Sequence, residues 1–397
     1  MHVNVTPEVA LKNELARRSG TSPQDWYLVL KARYGMESAF TGLRTVAGEG
    51  AVVSQIFTCA TAVNPILTAG LTPRYAEIDP NTFAIDPSRL RLGTDDRAVM
   101  IQNTFGVVSD EPARATAERA RTAGAVVFED SAHAVGRMAR GTDGSPLADV
   151  SIHSFGVEKL LPTKFGGAIW LSPTLQASGY TADVRAAMAR ELQSIAAPSA
   201  RQSFAARSYR NQLRVITRLP GRLGGVVRGA MIKAGLFDPP ISAQESRGHQ
   251  AAPVGMSSWV ASTALTNLQA ASRIEAQRSR AVAVYASALA GSVLMPAGAS
   301  GESEAAPLVR FPFYVRDAST AEHMISELSR QGVPAGRWYR PALFPGAQDP
   351  SVYGYEPGSP DLAISEDAIA RVVNLPTNVE PERAAEIAEM VKRIVAG

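Results

Sequence analysis

Between residues 51 and 172 the chain repeats one pattern: a short, nearly unbroken apolar run followed by a more polar, often helix-like stretch. The runs are AVVSQI (51–56), TPRYAEID (72–79), AVMIQNTFG (98–106), AVVFED (125–130), DVSIHSFG (149–156) and GGAIWLS (166–172). Helices are expected over about 60–69, ending at Gly70, and over 111–124. Strands that alternate with helices of this length form βαβ units, because parallel neighbours need a long crossover. The pattern therefore predicts an α/β fold with a mainly parallel sheet, and the apolar runs suit strands covered by helices on both faces. Polar or small residues gather at the strand ends: Asn103 and Thr104, then Asp130 and Ser131, then His153 and Ser154. Open α/β sheets bind their ligands at that edge.

The flanks read differently. Residues 5–33 read as helical, with Thr6 and Pro7 as cap and first-turn residue, and 34–48 lead into a second helix. Residues 182–196 look helical, and 257–290 read as one long helix. Two strand–helix units, LVRFPFYV with AEHMISELSRQG and VVNLP with PERAAEIAEMVKRIVAG, suggest a small α+β domain from about residue 300. A chain of 397 residues, 45% of them apolar, buries a large core and has room for more than one domain. Its net charge of +3 comes from 40 basic and 37 acidic residues, too balanced to argue for nucleic acid. The single cysteine, Cys59, excludes an intrachain disulfide and a multi-cysteine zinc site, and no metal is expected. With no signal-type or membrane-spanning apolar stretch either, the expected location is the cytoplasm.

Two lysines, Lys159 and Lys164, follow the fifth apolar run, within reach of the edge that carries Asp130. A lysine amine, a carboxylate and a phosphate-binding turn are the parts that pyridoxal phosphate (PLP) requires. On residue types alone either lysine is a candidate, as are ordinary loop charges. Alternation along the strand sends His153 into packing, opposite Ser154.

FEDSAHAVG (128–136), then ADVSIHSFGVEK (148–159) and a glycine pair, resemble the DegT/DnrJ/EryC1/StrS family of PLP-dependent sugar aminotransferases. SQIFTCATAVNPILTAGLTPRYAEIDPNTFAIDP (54–87), QNTFGVVSD (102–110), RWYRPALF (337–344) and VVNLPTNVEPERAAEIAEMV (372–391) follow the family in order, more loosely. The resemblance implies a fold-type-I PLP transferase: a large domain (1–255) around a mainly parallel seven-stranded sheet, and a smaller C-terminal α+β domain (256–397). It implies that Lys159 forms the Schiff base, that Asp130 pairs with the pyridine nitrogen and that His133 lies near the ring hydroxyl. Ser154 is then a phosphate ligand, with Ser38 and Glu37 on the neighbouring phosphate segment, YGMESAF (34–40). Tyr339, Arg340 and Phe105 are the expected substrate contacts. The implied reaction moves an amino group, with glutamate as donor, to a nucleotide-linked keto sugar, in a homodimer with shared sites.

Two departures stand out. Met36 and Glu37 occupy places where the family has glycine and threonine, and VGMSSWVAS (254–262) lacks the family's asparagine, leaving Ser257 or Ser258 as stand-ins. They leave open a regulatory or structural protein on the same fold. A PLP-dependent sugar dehydratase is a further alternative, but in the resembling dehydratases the lysine is replaced, commonly by histidine. Finally, Arg207, Arg210, Arg214, Arg218, Arg222 and Arg228 recur among Leu, Val and Ile. This segment, 201–233, reads as a solvated face, a diphosphate clamp or a weak contact with anionic lipid, with Pro220 and its glycines interrupting any continuous helix.

Overall fold

The computed structural model describes residues 5–175, 181–300, 305–347 and 349–396. Thr6 caps the first helix by accepting from Val9 N–H, and α1 (Pro7–Ser19) ends at Gly20 in the left-handed conformation. The expected helix over 5–33 thus stops early, and β1 (Trp26–Val29) occupies its second half. Then follow α2 (Ala32–Ala47), β2 (Ala51–Ser54), α3 (Ala60–Thr68), β3 (Thr72–Tyr75) and β4 (Asp96–Gln102). After them come α4 (Asp110–Thr122), β5 (Val126–Asp130), β6 (Val150–Ser154), β7 (Gly167–Leu171) and α5 (Thr181–Gln193).

These strands form one seven-stranded sheet in the order β1-β7-β6-β5-β4-β2-β3. β3, β2, β4, β5 and β6 run parallel, whereas β7 is antiparallel to both β6 and β1. The α/β fold with a mostly parallel seven-stranded sheet agrees with the sequence expectation. The reversal at β7 matters for the site, since it returns the segment after β6 to the carboxyl edge. There α2 begins, and Gly167 lets it come close: a Cβ at that position would overlap the backbone of Ala32.

The rest of the chain comprises α6 (Ala200–Arg218), α7 (Leu223–Lys233), α8 (Ser258–Gln269), α9 (Ala271–Leu289) and a short α10 (Ala297–Ser300). The expected long helix over 257–290 is therefore two, parted at Ala270. β8 (Arg310–Tyr314), α11 (Ala318–Arg330), α12 (Ala363–Arg371), β9 (Val372–Pro376) and α13 (Pro381–Ala396) complete the fold, with β8 and β9 antiparallel. Phe311, Phe313, Met324, Leu375 and Ile387 centre a second apolar core there, against Tyr285 of α9. Residues 301–304, where the small unit was expected to begin, lie outside the described residues.

Gly167→Ala is expected to lower stability by about 1–3 kcal/mol through overpacking against Ala32. The check is the urea midpoint at constant m value, and an unmoved midpoint would show that the close approach is unnecessary.

Candidate active site

A cavity of about 390 Å³ opens at the carboxyl edge of β4, β5 and β6. Asp130, His133, Ser154, Lys159, Lys164 and Tyr339 all line it, so residues spread over more than 200 positions of sequence converge on one space.

Phe105 N–H donates to His133 Nδ1 at 3.1 Å. An accepting Nδ1 carries no proton, so the neutral ring holds its proton on Nε2. Nε2 stands 3.0 Å from Lys159 Nζ. In that pair the ring donates and the amine accepts, which only an uncharged amine can do. Burial acts in the same direction. It pushes the Lys159 pKa below its usual value, against the opposing pull of Cys59, Asp130 and Glu158. Burial holds His133 well below its usual value, so the imidazole is neutral too. Trp338 stacks on the His133 ring with 4.9 Å between centroids and 5° between planes, and Lys159 Nζ sits 5.6 Å above the indole.

Asp130 ends β5, where its Oδ1 accepts from Ala132 N–H at 2.9 Å. Burial raises its pKa, while Lys159, that N–H and the Gln102 amide work against the rise. Ser154 Oγ accepts from Gly156 N–H at 3.2 Å, leaving its own proton free to donate to a ligand. His153 is fully buried and absent from the cavity, as alternation predicted. Its Nδ1 accepts from Gly136 N–H, and burial drives its pKa down to about 3.

Four expected contacts fall elsewhere. Because β1 ends at Val29 and α2 starts at Ala32, the segment facing the cavity is Leu30–Arg33, and of YGMESAF only Met36 lines it. Glu37 and Ser38 lie more than a turn into α2; Glu37 pairs with the Gln250 amide and Ser38 is buried. Arg340 is drawn into the fold by the Ala370 carbonyl and by Glu322, 2.9 Å from its guanidinium. Phe105 is packed among Phe57, Phe83 and Tyr339, at φ +58°, and serves the site through its backbone N–H alone. The two candidate replacements for the missing asparagine are also engaged: Ser257 caps α8, and Ser258 Oγ donates to Glu8 at 2.5 Å.

Residues 35–180 and 243–394 match the DegT/DnrJ/EryC1/StrS aminotransferase family. The chain belongs to that family. Among curated relatives, GDP-perosamine synthase of Caulobacter vibrioides is 32% identical over 125 residues, 31% of this chain and 33% of that protein. The pleiotropic regulatory protein of Geobacillus stearothermophilus is 32% identical over 119 residues, 30% of each. The matched stretches thus span about a third of those relatives' own length. The crystal structure of DesI with its TDP-sugar product superposes with a TM-score of 0.68 over 99% of this chain and 86% of that one. At 22% identity that likeness is one of fold.

In this member of the DegT/DnrJ/EryC1/StrS family, sequence reasoning missed Lys31, Arg33, Asp238 and Trp338, all of which line the cavity. Lys31 Nζ pairs with Asp238 at 2.6 Å, and Arg33 pairs with Glu245 and donates to Pro240 O at 2.8 Å. The signal was local: Gly20 and Pro23 interrupt the supposed helix, and WYLVLKAR then reads as strand, turn and helix start. A helix N-terminus with its first-turn amides at a cavity suits an anion.

Lys159→Met is expected to stabilise the ligand-free protein at pH 7 by about 1–2 kcal/mol, by removing a buried amine. Between the depressed folded pKa and the ordinary lysine value of about 10.4, the unfolded state binds the extra proton. Parent stability therefore rises with pH through that window, and the gap to the variant narrows toward pH 10. Urea titrations at pH 7 and above pH 9 check this; a gap that widens with pH would mean that Lys159 is buried charged.

Proposed function

We propose that the chain is a PLP-dependent aminotransferase that moves an amino group from glutamate to the ketone of a nucleotide-linked sugar, as a homodimer in the cytoplasm. The observation that carries this reading is the buried Lys159 amine, 3.0 Å from His133 Nε2 in a cavity shared with Asp130 and Ser154. The donor set suits the cofactor part by part. A neutral amine suits an aldehyde, a buried carboxylate a pyridine nitrogen, and a ring N–H a phenolic oxygen. The Ser154 hydroxyl and the first-turn amides of α2 suit a phosphate.

When bound, PLP supplies an electron sink and a carrier for the amino group. Asp130 would hold a proton on the pyridine nitrogen, and His133 Nε2–H would donate to the ring hydroxyl. Lys159 Nζ takes a proton from the amino-bearing carbon of the donor and returns it, which its uncharged state permits. In this reading residues 1–255 would carry the cofactor, while 256–397 contribute Trp338 and Tyr339 to the same cavity. Relatives and neighbours named for GDP- and TDP-linked sugars support the sugar nucleotide.

A regulatory role is the competing reading, favoured by the relative named as a regulatory protein. The retained lysine weighs against it, and against a dehydratase.

Incubation with PLP followed by borohydride reduction is expected to leave a pyridoxyl label on Lys159, located by peptide mass mapping. Label on Lys164, or none, would overturn the assignment. Lys159→Arg is expected to lower amino transfer by on the order of 10³-fold. Labelled protein that releases no 2-oxo acid from any amino acid tested would establish the regulatory reading instead.

A further inference from the structure

The hairpin of α6 and α7 is anchored on one side and left unsatisfied on the other. On its inner side, Tyr209 stacks on Phe237 at 5.1 Å and meets Phe165 edge-on at 5.3 Å. Phe165 lines the cavity, so the hairpin is fixed to the cavity wall. On the outer side Phe204 is 51% exposed, Val215 59%, Leu223 49% and Val226 67%, with Leu213 and Ile232 also exposed. Arg207, Arg214, Arg218 and Arg222 are exposed among them, whereas Arg210 reaches inward to the Pro162 carbonyl and Arg228 packs over the Phe237 ring. Between Glu191 and Asp238 the sequence contains no acidic residue.

Each alternative occupant satisfies only half of this surface. A solvated face carries charges of both signs and few large apolar side chains. A second copy, related by a two-fold axis, would set arginine against arginine. A nucleic acid would pair with the cations and leave valine and leucine idle. An anionic bilayer answers both features, with cations at the headgroups and apolar tips in the acyl boundary. We propose that the α6–α7 hairpin is a docking face for the anionic surface of a lipid bilayer.

The contact is peripheral, since none of the described helices is long and apolar enough to cross a membrane. Pro220 and Gly221 fold the segment into two short helices, so both present outer faces on one hairpin. Asp238, Pro240 and Ile241, just after α7, line the cavity, so docking brings that rim toward the membrane. The inference does not depend on what the cavity catalyses.

The test is co-sedimentation of the full chain with vesicles of phosphatidylcholine alone or mixed with phosphatidylglycerol. Binding to the mixed vesicles only, released by high salt, is the expected result. Each arginine at an anionic leaflet strengthens binding about fivefold, so Arg207→Glu/Arg214→Glu/Arg222→Glu should weaken partitioning by about 100-fold or more. Val215→Ser/Val226→Ser should weaken it by about tenfold, through lost apolar burial. If a combined variant fails to fold, Arg214→Glu and Val226→Ser alone, both at exposed positions, carry the comparison. No parent binding to mixed vesicles, or unchanged binding of either variant class, overturns the proposal. So does tight binding to a DNA oligonucleotide that is indifferent to the valine changes. A dimer that the valine variants split, without any vesicle binding, would assign the face to a second copy.

Discussion

The carboxyl edge of the sheet is organised by a carboxylate beneath it, not in the cavity. Glu129 and Asp130 are neighbours on β5, and strand alternation sends them to opposite faces. Asp130 meets the cavity, while Glu129 is wholly buried. Burial raises its pKa, and four groups act against that rise: Ala139 N–H at 2.7 Å, Asn103 Nδ2 at 2.9 Å, Ser151 Oγ at 2.9 Å and the Ser131 hydroxyl. Leaving such a group without partners would cost several kcal/mol. The donors come from the end of β4, the loop after β5 and β6, so satisfying Glu129 fixes the spacing of the three segments that carry the site. Ser151 extends the network to His153, 3.1 Å away, whose other nitrogen holds Gly136.

Above that layer, a second chain of hydrogen bonds sets protonation. Phe105 is in the left-handed region, costly for a large side chain, and its ring packing holds it there. The conformation aims a backbone N–H at His133, which fixes the tautomer and thereby the proton between His133 and Lys159. Trp338 closes the other face of the imidazole. Neutral lysine and neutral histidine are therefore consequences of backbone geometry as much as of burial.

What the sequence revealed, and what it concealed, follow from the range of the interactions. Asp130, His133, Ser154 and Lys159 lie within thirty residues, at or just past the ends of strands whose apolar runs are unmistakable, and they do meet in the cavity. The start of α2 was misplaced because it depends on where β1 ends. That is settled by pairing with β7, Trp26 opposite Trp170, more than 140 residues away. Arg340 was read as a substrate contact because an arginine beside an aromatic pair says nothing of which carbonyl it will find. Its partners, Ala370 and Glu322, belong to two other helices. The break at Ala270 divides a pattern that is helical on both sides, and no glycine or proline marks it.

Lys31 and Arg33 reach the cavity already matched by Asp238 and Glu245. An anion arriving at that end of α2 exchanges with a carboxylate and does not meet a bare cation. Such a swap leaves the local charge nearly constant, so its affinity is only weakly tied to ionic strength. It also frees the two carboxylates, while Asn64 Nδ2 and the Tyr353 hydroxyl still hold the Glu245 carbonyl. Filling the cavity and parting those ion pairs are then one equilibrium, and whatever steadies the pairs works against entry.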